Sequence, residues 1–302
     1  MQHKVFSILI TTKNRKDDLV FTVRKIQHLL ERDDVVCLIC DDGSTDETFE
    51  SIQDNFPKIQ LIRNEKSEGL IYSRNRLMNL VTTEFAISID DDLHFITENP
   101  LEVIQNAFNE NPKAGLFSFR IFWNLNEPDS TNTNEVIHRV KSFAGGANVW
   151  RMKAWQDIPD YPAWFIFYGE EDFASYQLFK KNWEIHYLPD VLVHHRVDVV
   201  ARKSNNDYAL RLQRSLRSGW YLCFLFYPIS IIPRKIGYSI WIQIKSKVFK
   251  GDFKALKALV LALFDLLFAI PKIIKNANRL SMQEYKIFQS LEEGKIYWKP
   301  EK

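Results

Sequence analysis

The 302-residue sequence predicts an α/β fold, with a mostly parallel sheet flanked by helices and a helical region at the C-terminus. Three observations predict it. Apolar runs of strand length (residues 5–11, 35–40, 59–62 and 85–89) alternate with segments whose apolar residues recur near every 3.6 positions. Three of the runs stop at a polar or acidic cluster, as buried strands do when they emerge at the ligand-binding carboxyl edge of a parallel sheet. The charge then inverts near residue 200. Residues 1–200 hold 21 Lys and Arg against 31 Asp and Glu, a balance of −10; residues 201–302 hold 19 against 7, a balance of +12.

In chain order, the first run ends in Thr11-Thr12-Lys13-Asn14-Arg15 and reads as strand then loop. Asp17 is placed to cap a helix carrying Leu19, Val23, Ile26 and Leu30. The second strand ends in Asp41-Asp42-Gly43-Ser44, and Asp46 and Glu47 open a helix through Ile52. After the third strand, Gly69 precedes a helix with Leu70, Leu77 and Leu80. The run 85–89 reads as a strand covered on both faces, and it ends in Asp90, Asp91 and Asp92. Three adjacent carboxylates repel one another unless they are solvated or a cation sits among them. Hard divalent ions such as Mg²⁺ and Mn²⁺ take carboxylate oxygens, often while gripping phosphates. The plainer reading is a solvated acidic loop.

A further strand is expected over 114–121, followed by a mobile polar loop over 124–134. Gly145 and Gly146 mark a place where backbone approaches something closely or takes positive φ. Gly169 precedes Glu170, Glu171 and Asp172, read as a helix start with Phe173, Tyr176 and Phe179 on one side. Runs 185–189 and 191–195 read as a final pair of strands ending in His194-His195.

The composition, 46% hydrophobic and 26% charged, is that of a globular protein. Cys37 and Cys40 have CxxC spacing but lie within an apolar run with no second pair, which indicates core packing rather than zinc or redox chemistry. The start, Met-Gln-His-Lys, lacks a signal-peptide pattern, so a cytoplasmic location is expected. In the basic C-terminal part, 220–232 is uncharged but broken by Pro228, and 258–270 is apolar except for Asp265 and is ended by Pro271. Both fall short of the roughly 18–20 apolar residues that a membrane-spanning helix needs. Lys254, Lys257 and Asp265 share one helical face, and Leu256, Val260, Leu263 and Leu267 the other, as in an interfacial helix. Trp220, Tyr221, Tyr238 and Trp241 suit the headgroup region. Packing against the rest of the chain or against a second copy is the plainer alternative.

Together, residues 11–15, 41–44, 69–75, 90–92, 145–148 and 169–173 resemble, in order and spacing, the family 2 glycosyltransferases of the Rossmann-like GT-A fold. The resemblance covers about residues 4–200, and the C-terminal part resembles more loosely the membrane-associated tails of many bacterial members. It implies a catalytic domain over 1–200 and an amphipathic, membrane-associating region over 201–302. It implies an inverting, metal-dependent transfer from a UDP- or dTDP-sugar to a hydroxyl of a cell-surface glycan or lipid-linked acceptor. The enzyme would lie on the inner face of the cell membrane, with a homodimer allowed and nucleic acid not expected as a partner.

The resemblance also assigns roles. Asp41 or Asp42 would accept the imide N–H of the base, with Thr11, Lys13 and Arg15 beside the nucleotide; Lys13 stands where an aromatic is common. Arg74 would reach the diphosphate, Asp90 the ribose or metal, and Asp91 and Gly146 would lie at the donor. Asp92 and His195, with His194 as near alternative, would hold Mn²⁺ or Mg²⁺. Asp172 would be the general base, with Glu171 orienting the acceptor hydroxyl or substituting as base. A sugar nucleotidyltransferase would show a glycine-rich basic loop after the first strand, and residues 11–15 contain no glycine. A non-catalytic carbohydrate-binding protein would not need the acids at 170–172. No GxGxxG follows the first strand to suggest an NAD enzyme.

Overall fold

The computed structural model describes residues 4–198 and 207–300. The expected domain boundary at 200 lies outside the described residues. The four apolar runs form β1 (Phe6–Thr12), β2 (Val35–Asp41), β3 (Gln60–Arg63) and β4 (Phe85–Asp90). They are joined by α1 (Lys16–Lys25), α2 (Gln27–Leu30), α3 (Thr48–Asn55) and α4 (Leu70–Met78). These strands pair in parallel in the order β3-β2-β1-β4, so their carboxyl ends share one edge. Asp17 lies in the first turn of α1 rather than at its cap, where its charge still favours the helix N-terminus.

The remainder comprises β5 (Leu93–Phe95), α5 (Pro100–Glu110), β6 (Ala114–Trp123), β7 (His138–Val140), β8 (Ala147–Arg151), α6 (Met152–Gln156), α7 (Glu170–Lys180) and β9 (Glu184–His195). The sheet continues from β4 through β8, β6 and β9 to β5, with β7 also on β9. Beyond β4 it is mixed: β8 runs antiparallel to both β4 and β6, and β6 and β9 are parallel. The expected pair of strands over 185–195 is one strand. Pro189 falls where the β6–β9 register shifts between Phe119 and Arg120, so the missing N–H interrupts pairing without ending the strand. The loop expected to be mobile is tied at several points. Arg120 donates to the Thr131 carbonyl, and Glu127 pairs with Lys25.

Alternation along each strand divides the core into two layers. Ile8, Ile10 and Cys37 pack with α1 and α5 through Leu19, Val23, Ile104 and Phe108. Leu9, Leu38 and Cys40 face the other way, toward Ile71, Leu77, Trp150 and Phe173. Cys37 and Cys40 therefore lie in different layers, and all three cysteines are free.

The C-terminal helices are α8 (Tyr208–Phe226), α9 (Ile232–Ser246), α10 (Phe253–Asn276) and α11 (Met282–Ser290). α8, α10 and α11 contribute to the second layer, where Phe226 and Phe288 lie 4.7 and 4.4 Å from Tyr176 of α7 between ring centroids, and α9 packs on α8 and α10 in a separate cluster. Two expectations are corrected here. Trp220 and Tyr221 are buried, 2% and 4% exposed, Trp220 between α8, α9 and α10 and Tyr221 against the second layer of the core. Pro271 does not end α10, which runs on to Asn276. Its buried side carries Ala255, Ala258, Leu259, Ala262, Ala269 and Ile273, while Leu256, Val260, Leu263 and Leu267 face outward.

Candidate active site

A cavity of about 950 Å³ opens at the carboxyl edge of β1, β2 and β4. Thr11, Thr12, Lys13, Arg15, Asp42, all three residues of the Asp triplet and His195 line it. β4 ends at Asp90, and the turn into β5 divides the triplet. Asp91 turns inward, accepting from Thr12 Oγ1 at 2.9 Å while its carbonyl accepts from Thr22. Burial pushes its carboxyl up to about 7, with Arg15 opposing.

Asp90 and Asp92 instead converge with His195 of β9, their ligand-capable atoms all within 4.8 Å of one another. His195 Nε2 lies 2.9 Å from Asp92 Oδ1 and 4.0 Å from Asp90 Oδ2. Arg15 Nη2 sits 2.8 Å from Asp92 Oδ2, and its Nε 3.3 Å from Asp91. Burial alone would raise the Asp92 carboxyl, but His195 and Arg15 together hold it below its ordinary value.

Strand alternation separates the two histidines. His194 points away from the triplet, toward His94 opposite it on β5. His94, His194 and Glu127 form a second cluster of ligand-type residues that the sequence did not suggest. Two cations already serve it: Arg196 Nη1 is 2.8 Å from His94 Nδ1, and Lys25 is 3.1 Å from Glu127. Burial pushes His94 down to about 4.

Of the two acids after β2, only Asp42 faces the cavity. Asp41 is fully buried, accepting from Ser44 and pairing with Arg63 at 3.2 Å. Asp42 accepts from Asn64, Ser67, Ser73 and the backbone N–H groups of Glu68 and Gly69, at 2.7–3.1 Å. Five donors fill the roughly four lone-pair sites of a carboxylate. Burial would raise its pKa, but these bonds hold it below the ordinary value.

Arg74 does not line the cavity. It is 7% exposed, with Asp90 Oδ1 at 3.0 Å, Glu170 at 3.1 Å and Glu171 at 3.9 Å. Arg74 stands behind Asp90 and anchors its carboxylate. Gly145 and Gly146 cover this network. A Cβ on Gly146 would fall 2.0 Å from Asp90 Oδ2, and one on Gly145 2.3 Å from Glu171 Oε1. Glycine is thus required by close approach, since neither residue has positive φ.

At the start of α7 three acids take three environments. Glu170 is buried against Arg74. Glu171 is partly buried, and desolvation, then Glu170, push it up to about 8. The Asp172 side chain is exposed. The protein packed around it, then Glu171 and Glu293, push it up to about 6, with Lys141 opposing. Neither Glu171 nor Asp172 lines the cavity. Cavity residues that were given no role from the sequence include Ile166, Phe167, Arg196, Arg211 and Arg214. They belong to no local motif, and only the excess of Arg and Lys after residue 200 hinted at the last two.

The sequence model of glycosyl transferase family 2 matches residues 7–176, more than half of the chain. No curated protein sequence matches. The fold is similar to that of GalNAc-T7, solved with UDP, GalNAc and Mn²⁺: TM-score 0.63 and 13% identity, covering 90% of this chain but only 58% of that one. It is similar to the mannosyltransferase PcManGT from Pyrobaculum calidifontis with GDP-Man and Mn²⁺, at TM-score 0.55 and 13% identity, covering 96% of this chain and 80% of that one. It is also similar to residues 1–349 of S. aureus TarS with UDP-GlcNAc, at TM-score 0.54 and 15% identity, covering 90% and 89%. At such identities the likeness speaks for the fold, while the family match speaks for the chemistry. The chain belongs to glycosyl transferase family 2 and is a glycosyltransferase of the GT-A fold.

Proposed function

We propose that the protein is an inverting glycosyltransferase that transfers a sugar from a UDP- or dTDP-sugar, with a divalent metal, to a hydroxyl of a cell-surface glycan or lipid-linked acceptor. The convergence of Asp90, Asp92 and His195 at the cavity carries this reading. Two carboxylates and an imidazole suit Mn²⁺ or Mg²⁺ in oxygen-rich coordination, and Arg15 shows that the cluster already attracts a cation. Structures of similar fold hold UDP with Mn²⁺ and GDP-Man with Mn²⁺, which supports a metal here. When bound, such an ion supplies Lewis-acid stabilisation of the departing nucleoside diphosphate. Asp90, Asp92 and His195 would hold it, with Arg74 fixing Asp90. Asp91 keeps the turn in place through Thr12 and Thr22.

Asp42, Thr11 and Lys13 form the end of the cavity that suits the base. Because Asp42 is saturated, accepting an imide N–H requires Ser67 or a backbone group of 68–69 to yield. Direct displacement with inversion needs one base for the acceptor hydroxyl. We assign it to Asp172, which is exposed to an incoming acceptor and titrates near 6, so it is ionised at neutral pH. Glu171, raised to about 8, holds its proton there and suits an orienting role. Its place beside Arg74, one ion pair from Asp90, is the observation that favours it as substitute base. Single-turnover assays separate the two: Asp172→Asn should bind donor normally and lose roughly 10²–10⁴-fold in transfer rate. If Glu171→Gln is inactive while Asp172→Asn transfers normally, the base is Glu171.

The C-terminal helices are proposed to rest on an anionic membrane surface. The outward row Leu256, Val260, Leu263 and Leu267, with Phe268 at 82% exposure, supports this, as do exposed Tyr238 and Trp241. No helix among the described residues is long and apolar enough to cross a membrane.

A further inference from the structure

Three of the five Lys and Arg residues that line the cavity come from beyond the segment that defines the family. Besides Arg15, four cations line it: Lys13, Arg196, Arg211 and Arg214. Arg196 is already engaged, by His94 Nδ1, the Asp18 carbonyl and Thr22 Oγ1. Arg211 and Arg214 stand three residues apart on α8, on one side of its first turns. Among the described residues Arg211 pairs with Asp207, the cap of its own helix, at 2.9 Å, and both side chains are well exposed. Such a solvent-exposed pair is weak and readily exchanged. The Arg214 guanidinium lies 5.9 Å above the ring of Phe167, itself part of the cavity wall.

The next turn of α8 fixes these two in place. Arg217 is buried; it donates to the Phe165 carbonyl at 2.7 Å and pairs with Asp265 of α10 at 3.3 Å. Ser218 Oγ donates to the Phe167 carbonyl. The helix is therefore tied to the 165–167 segment of the cavity wall, and the arginines one and two turns earlier are held at the opening.

We infer that Arg211 and Arg214 form a phosphate-binding arm of the cavity, making the C-terminal region part of the substrate site. This rests on the donor reading of the cavity given above. The ligand chemistry is phosphate oxygen, for which the planar guanidinium fork is suited. It could belong to the nucleoside diphosphate of the donor or to a phosphate on the acceptor.

Calorimetry on the full chain distinguishes these, using UDP with Mn²⁺ as one probe and inorganic pyrophosphate added to UDP–Mn²⁺-saturated protein as the other. Arg211→Gln/Arg214→Gln is compared with wild type and with Arg234→Gln on α9 as a control for charge. Loss of at least about tenfold in UDP affinity assigns the arm to the donor. Unchanged UDP affinity with loss of pyrophosphate binding assigns it to the acceptor. Unchanged affinity for both probes overturns the proposal. Wild-type protein that binds no UDP but loses pyrophosphate binding on substitution overturns the donor reading and keeps the arm. Should the double variant unfold, Arg214→Lys keeps the charge and removes the fork: a several-fold loss on either probe supports the arm, and no loss on both overturns it.

Discussion

A guanidinium enclosed by Asp90, Glu170 and Glu171 sits at the centre of the site's polar network. Removing it leaves Glu170 buried without its counter-charge, which typically costs about 3–5 kcal/mol. Arg74→Met should therefore lower the unfolding free energy by that order in denaturant titrations. A change in donor affinity with no loss of stability would instead mean that Arg74 acts on the ligand. Gly146 acts on the same network from above, because an added methyl would meet the Asp90 carboxylate. Gly146→Ala should cost about 1–3 kcal/mol through overpacking and weaken metal binding, read by Mn²⁺ titration of the folded variant. Asp172 sets the expected pH dependence. Its pKa is raised to about 6, and only the ionised form accepts a proton, so the rate should fall as pH drops through about 6 and level off above it. A flat profile from pH 5 to 7, with chemistry rate-limiting, would remove it as base.

At the level of elements, the acidic strand ends were legible because chemistry and structure agree there. β1, β2 and β4 are apolar on both faces and stop at polar clusters, so both the strand and its edge could be read from composition. β5, β7 and β8 could not, being three to five residues long and held by partners distant in sequence. His195 was readable only as one of a pair, since the choice depends on which face of β9 turns toward Asp92. The partners of Arg74 lie 16 and 96 residues away, beyond any local pattern. In α10 the period was readable, but not which face turns inward: Ala255, Ala258, Leu259 and Ala262 pack, and Leu256, Val260, Leu263 and Leu267 remain outside. Leu263→Asp/Leu267→Asp should accordingly leave the thermal midpoint nearly unchanged and abolish flotation with anionic liposomes. Retained flotation would place the contact elsewhere.

For the molecule as a whole, α8, α10 and α11 share one apolar layer with the sheet, in which Phe226, Tyr285 and Phe288 meet Phe173 and Tyr176. Burying large aromatic side chains contributes roughly 1.5–3 kcal/mol each, so deleting α8–α11 removes a large share of a typical domain's 5–15 kcal/mol. A chain ending before residue 207 should lose cooperative unfolding, and point variants on α10 are therefore the better test of membrane contact. The same architecture brings an acidic sheet edge and arginines of the basic C-terminal region to one cavity, where a metal and a diphosphate would complete the charge balance. Calorimetric titration of wild type and Asp92→Ala with UDP and dTDP, with and without Mn²⁺, tests this most directly. Wild type should bind one of the nucleotides at least about tenfold more tightly with Mn²⁺ and Asp92→Ala should lose that gain; an equal Mn²⁺-dependent affinity in both proteins would contradict metal-assisted donor binding at the triplet.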